Sequence, residues 1–160
     1  MINKHVRSVA KKIVMQLPDL PEPWDVEALC RTLQQTRNRP LRLHSVDLPA
    51  MPFGMWYDDG SEDHIFYRSS ATGYYRDHII LHEICHMLVG HGVMPRQLSD
   101  ESEGYLITGR ILRSRAYNSF EEQVAETFSS MALNIIRNRR SKDVSAVERR
   151  AEELFRGTYA

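Results

Sequence analysis

One hundred and sixty residues, 42% of them hydrophobic and 26% charged, suit one domain around one hydrophobic core and exclude a disordered or fibrous chain. Lysine plus arginine and aspartate plus glutamate both number 21, so a formal net charge of zero supplies no global field toward nucleic acid or an anionic membrane. Charges at Lys4, Arg7, Lys11 and Lys12 interrupt the start where a secretory peptide needs an apolar run, and no apolar stretch is long enough to span a bilayer. Cys30 and Cys85 are too few for a disulfide framework, and the expectation is one domain over residues 1–160 in a reducing cytoplasm, away from membranes.

Val6, Val9, Ile13, Val14 and Leu17 fall at helical spacing, which predicts an amphipathic N-terminal helix within residues 1–17, closed by Pro18, Pro21 and Pro23. Asp25 is placed to cap a second helix to Thr36, with Val26, Leu29, Cys30 and Leu33 inward. After Pro40, Leu41 to His44 alternates like a short strand. Phe53 to Tyr57 and His64 to Tyr67 read as a β-hairpin, with Trp56, Tyr57, Phe66 and Tyr67 as sheet packing. The acidic turn between them, Asp58 to Asp63, lacks the spacing of a calcium loop and reads as solvated, without a metal.

From Arg76 to Val89 a helix is expected that is apolar over most of its circumference, and therefore buried, with Gly90 and Gly92 to stop it. Met94 to Tyr117 suggests one short helix around Leu106 to Arg113. Ser119 to Ile136 reads as a strong helix, and Val144 to Phe155, within residues 143–156, as a separate charged one. The basic run Arg137 to Lys142 between them reads as the cationic end of the first, favoured by its dipole, in preference to a nucleic-acid-binding patch.

Chemistry concentrates in the buried helix, at His82-Glu83-Ile84-Cys85-His86. Two imidazoles four residues apart lie on one face about a turn apart and can grip one ion, and neutral imidazole suits Zn2+. A catalytic zinc site keeps a position for water, and Glu83, one step round the helix, is placed to act on that water as general base. A bare glutamate between two histidines in so apolar a helix would carry a large desolvation cost, which a metal offsets. His78 extends the same face as a supporting residue, and His91 reads as a helix-end or pocket-lining residue because its spacing from His86 does not match a longer zinc motif.

A third ligand is sought in Ser119 to Phe128, where Glu122 and Glu126 share one helical face. One of the two could bind metal and the other orient a histidine. Glu121 is the alternative ligand, since Ser119 with Glu122 and Asn118 with Glu121 both have capping-box spacing and one of these glutamates can simply close the helix start.

These two motifs, with His78-Ile79-Ile80-Leu81 ahead of the first and Ala125, Glu126 and Phe128 in the second, resemble the ImmA/IrrE family of metallopeptidases over residues 24 to 136. The resemblance implies an α+β fold: a compact, minimal zincin-like domain with helices around the central zinc helix and a small, largely antiparallel sheet. It also implies His82, His86 and Glu122 as zinc ligands, Glu83 as catalytic base and Glu126 as a supporting carboxylate. The implied function is a zinc endopeptidase cleaving one specific regulatory protein, a helix-turn-helix repressor, with an extended substrate laid along the hairpin edge. The chain itself would not contact nucleic acid. The alternative is a regulatory partner that keeps the metal site and binds a repressor without cutting it. Two departures are Cys85, where a small residue such as glycine is common, and the missing Leu-x-Pro after Ala132. His91, Tyr105 and Tyr117 are candidates for stabilising an oxyanion.

Overall fold

A computed structural model describes residues 2–47, 54–91 and 118–156. The expected short helix around Leu106 to Arg113, Gly92, Tyr105 and Tyr117 lie outside the described residues. Among the described residues the fold is α+β, with four helices and a three-stranded sheet.

Helix α1 spans Lys4–Met15, opened by the Asn3 side chain, which accepts from the His5 amide at 2.9 Å. It buries Val6, Ala10 and Ile13 and packs on the last helix. Helix α2, Val26–Arg37, is capped by Asp25 as expected, and it ends at Asn38 in the left-handed region (φ 49°), which asparagine tolerates better than most residues. Pro40 then turns the chain into strand β1, Leu41–Val46.

Strands β2, Gly54–Asp58, and β3, Asp63–Arg68, form the expected hairpin with Trp56 opposite Ile65. The sheet is mixed rather than largely antiparallel: β3 is central, and β1 joins its other side in parallel, Leu41 opposite Asp63 and Leu43 opposite Ile65. Had β1 joined β2 instead, all pairs would have been antiparallel. The observed order gives the fully buried Ile65 a paired strand on both sides and lets the Asp63 amide donate to the Pro40 carbonyl at 2.9 Å.

Asp63 departs from the solvated turn expected of it. It is 1% exposed at the start of β3, where its carboxylate accepts from Arg37 Nη1 at 2.5 Å, Arg39 Nε at 3.0 Å and Trp56 Nε1 at 2.9 Å. This ionic knot ties α2 to both hairpin strands.

Helix α3, Gly73–Val89, begins three residues ahead of the expected Arg76 and ends at Gly90 with φ 72°, a conformation that favours glycine. It packs against α4 and against β2 and β3, burying Ile79, Ile80, Leu81, Ile84 and Met87. Each such side chain contributes about 1.5–3 kcal/mol of apolar burial. Helix α4 is one continuous element, Ser119–Arg156, in place of the two expected. The hydrophobic periodicity lapses after Ile136, but neither glycine nor proline interrupts the stretch and its charged residues are good helix formers. Its first half supplies Val124, Phe128, Ala132 and Ile136 to the core. Within the described residues no helix is long and apolar enough to cross a membrane.

Candidate metal centre

The helical period places His82 and His86 on one face of α3, their ring centroids 4.8 Å apart and nearly edge-on. Where α4 packs against α3, it carries Glu122 to that face. His82 Nε2 and His86 Nε2 are 3.1 Å apart, and each lies 3.3 Å from a Glu122 oxygen. Ligands about 2.0–2.1 Å from a tetrahedral zinc stand about 3.3 Å from one another. The two Nε2 atoms are close to that spacing, and the Glu122 carboxylate spans them, with Oε2 beside His82 and Oε1 beside His86.

The hydrogen-bond partners of the rings fix which nitrogens can bind a cation. His86 Nδ1 is 3.0 Å from His91 Nδ1, and His82 Nδ1 faces Glu126 Oε2 at 3.6 Å. With the imidazole proton directed to those partners, each Nε2 presents its lone pair toward Glu122. Two lone pairs and a carboxylate at such distances repel one another unless a cation or a proton sits among them. The donor set therefore fits a zinc ion held by His82, His86 and Glu122.

The electrostatics agree. Where protons instead of a cation sit on the Nε2 atoms, hydrogen bonds from His82 and His86 pull the Glu122 carboxyl down to about 2, against the opposing effect of partial burial. Desolvation lowers His82, but its hydrogen bond to Glu122 and the charges of Glu83, Glu122 and Glu126 outweigh it, and the net shift is upward. Desolvation dominates at His86, helped by the neighbouring His82 and His91, and its pKa falls despite Glu122. A single proton would settle first on His82.

The two adjacent glutamates take separate parts. Glu121 closes a reciprocal capping box, its carboxylate accepting from the Asn118 amide at 3.1 Å while the Asn118 side chain accepts from the Glu121 amide at 2.8 Å. Glu122, one step round the helix, faces the histidines. Glu126 lies 3.0 Å from His78 Nε2, and Ser129 Oγ reaches the same nitrogen at 3.4 Å, so His78 supports the carboxylate beside His82 and is not itself near Glu122 in this network. His91, just past the end of α3, turns to His86.

No protein-family description, curated protein or solved structure matches this chain.

Glu83 is 3% exposed on α3 and packs against Gly54, the first residue of β2. A β-carbon at position 54 would stand 2.6 Å from Ile79 Cγ2 and 3.1 Å from Glu83 Oε1. The glycine lets the strand approach the carboxylate, a role its place inside a strand pattern could have signalled. Cys85 is buried beside Glu83, and desolvation pushes its thiol up to about 12, so it is an inert core residue.

A second group of donors, Asp59, Glu62 and His64, lies at the hairpin turn. Its members are engaged by protein groups: Asp59 accepts from the Ser61 and Glu62 amides and lies 2.7 Å from His64 Nε2, while Glu62 pairs with Arg42 through both oxygens. These contacts account for the turn without a metal.

Replacing Gly54 with alanine is expected to cost about 1–3 kcal/mol through overpacking against the stiff Ile79 side chain, and to displace Glu83. Zinc content should not change, since the three donor atoms are not in contact with position 54. Urea unfolding and elemental analysis of the variant test the two expectations; unchanged stability would contradict the close-approach role.

Proposed function

We propose that the chain is a zinc-dependent endopeptidase of the minimal zincin-like kind, with His82, His86 and Glu122 holding the metal and Glu83 acting as general base. The observation that carries the reading is the pair of Nε2 atoms 3.1 Å apart on α3, each 3.3 Å from one oxygen of Glu122 on α4, with a carboxylate one residue along from the first histidine.

Zinc, when bound, supplies Lewis acidity toward a substrate carbonyl and toward water. Glu83 takes a proton from the attacking water and delivers it to the leaving amine. Glu126 and His91 hold the rings of His82 and His86 with Nε2 forward, so that the donors need no reorganisation. Among the described residues strand β2 is an edge strand, its first residue lies against Glu83, and an extended peptide added along that edge would run past the carboxylate.

The substrate proposed is a cytoplasmic helix-turn-helix repressor, on the resemblance set out above. The test is co-expression of the chain with a repressor encoded beside it, following the repressor by intact mass. Defined fragments are expected with the wild-type chain and full-length repressor with Glu83→Gln, which keeps the shape of the side chain without its basicity. Cleavage undiminished in Glu83→Gln would contradict the role of the base. An intact repressor alongside rapid digestion of casein would contradict the substrate, and an intact repressor that nonetheless binds the wild-type chain would support a non-cleaving partner.

A further inference from the structure

The basic run Arg137 to Lys142 has no explanation in a helix dipole, because α4 continues to Arg156 and the run lies in its middle. It borders instead a cavity of about 480 Å³ between the Pro21 to Trp24 turn, the start of α3 and α4, lined by Trp24, Tyr74, Asp77, Arg139 and Arg140. A second hollow of about 400 Å³ adjoins it and shares Tyr74 and Arg140 while adding Arg137, Ser141, Ser145 and one carboxylate, Glu148.

Among the described residues these three guanidinium groups contact neutral partners and not carboxylates. Arg137 lies over the Tyr74 ring, 5.2 Å from its centroid, Arg140 Nη1 donates to the Tyr74 hydroxyl at 3.4 Å, and Arg139 Nη1 donates to the Leu20 carbonyl at 3.3 Å. Arg137 and Arg140 are one helical turn apart, where like charges weaken a helix by about 0.2–0.5 kcal/mol. An anion bridging them would relieve that repulsion and take up donors now spent on long, neutral contacts.

The remaining walls say which anion. Trp24 is a fixed flat surface, its Nε1 donating to Asp77 Oδ2 at 2.8 Å, and it stands beside a cavity within the size range of small-ligand sites. Glu22 on the rim offers a carboxylate that accepts from hydroxyl groups and disfavours a bare anion. Cations for a phosphate, an aromatic wall for a base and an acceptor for a ribose together describe a nucleotide. A long polyanion would need a continuous basic stripe, whereas the chain is neutral overall and Glu148 lines the same hollow as Arg137 and Arg140. We propose that this cavity binds a free nucleoside phosphate, with the phosphate on Arg137 and Arg140 and the base against Trp24.

The experiment is equilibrium dialysis of the full chain against AMP, adenosine and inorganic phosphate separately, with a short single-stranded oligonucleotide as a fourth probe. AMP is expected to bind at least about tenfold more tightly than adenosine or phosphate, and the Arg137→Gln/Arg140→Gln pair to weaken it by at least about tenfold with zinc content and circular dichroism unchanged. Trp24→Leu should weaken AMP without affecting phosphate. AMP binding no tighter than phosphate, or unaltered in the folded arginine variant, would overturn the proposal. Tighter binding of the oligonucleotide than of AMP would overturn the assignment to a free nucleotide. The wild-type comparison decides the matter even if the variants fail to fold, and no arm depends on peptidase activity.

Discussion

Glu122→Ala is expected to lower zinc affinity by roughly a thousandfold, more than the roughly 10–100-fold that loss of an outer supporting partner costs. In the proposed site the carboxylate would contribute one of the three ligands and the negative charge that would draw the ion between two neutral rings. Glu121→Ala should leave zinc in place and cost about 1 kcal/mol, the worth of half a capping box. The pair is a sharp control because the two residues are neighbours in sequence and differ only in which way the helix turns them. Isothermal titration with zinc measures both; retention of zinc by Glu122→Ala with loss from Glu121→Ala would reverse the assignment.

The same titration has an expected pH dependence. Zinc needs both imidazoles neutral, and His82 is the ring whose pKa is raised above the ordinary 6.5, so the metal-competent form is lost as pH falls through that raised value. His86, whose pKa is lowered, protonates further down, and Glu122 stays ionised to about 2. The apparent zinc affinity should therefore begin to weaken above pH 6.5 by proton uptake on the metal-free His82, with release of bound zinc following at lower pH.

Asp63→Ala is expected to destabilise the fold by about 3 kcal/mol, the low end of the range for breaking a buried ion pair. The low end applies because Arg37 and Arg39 retain 27% and 24% side-chain exposure and can recover water, while the buried Trp56 Nε1 cannot. For a chain of this length the melting temperature should fall by roughly 6–12 °C. Asp63→Asn, which can still accept from Trp56, should lose about half as much. A shift of less than about 2 °C for the alanine variant would mean the knot contributes little.

The parts of the fold written in local periodicity were legible: α1, α2 with its Asp25 cap, the hairpin and the buried α3 all follow from spacing and from flanking prolines and glycines. Strand order was not, since nothing local distinguishes β1 beside β2 from β1 beside β3; a long-range choice, burial of Ile65 and Asp63 at the sheet centre, decides it. Asp63 was misread because an aspartate in an acidic turn resembles its solvated neighbours until Arg37, Arg39 and Trp56 are brought to it. The continuity of α4 was hidden because its second half is largely solvent-facing and so lacks the apolar stripe on which helix detection relies. At the site, the helical repeat alone pairs His82 with His86. The helix face shared with Glu126 already favoured Glu122 over Glu121, and the packing of α4 against α3 brings Glu122 to the histidines, whereas the approach of Gly54 to Glu83 required the sheet.

The most direct measurement is the zinc content of the purified chain by elemental analysis, alongside His82→Ala and His86→Ala. About one zinc per wild-type chain is expected, with each histidine variant below about a tenth of that under the same conditions. A wild-type chain that neither carries zinc nor takes it up on addition, or histidine variants that hold as much as the wild type, would contradict the metal centre on α3 and α4.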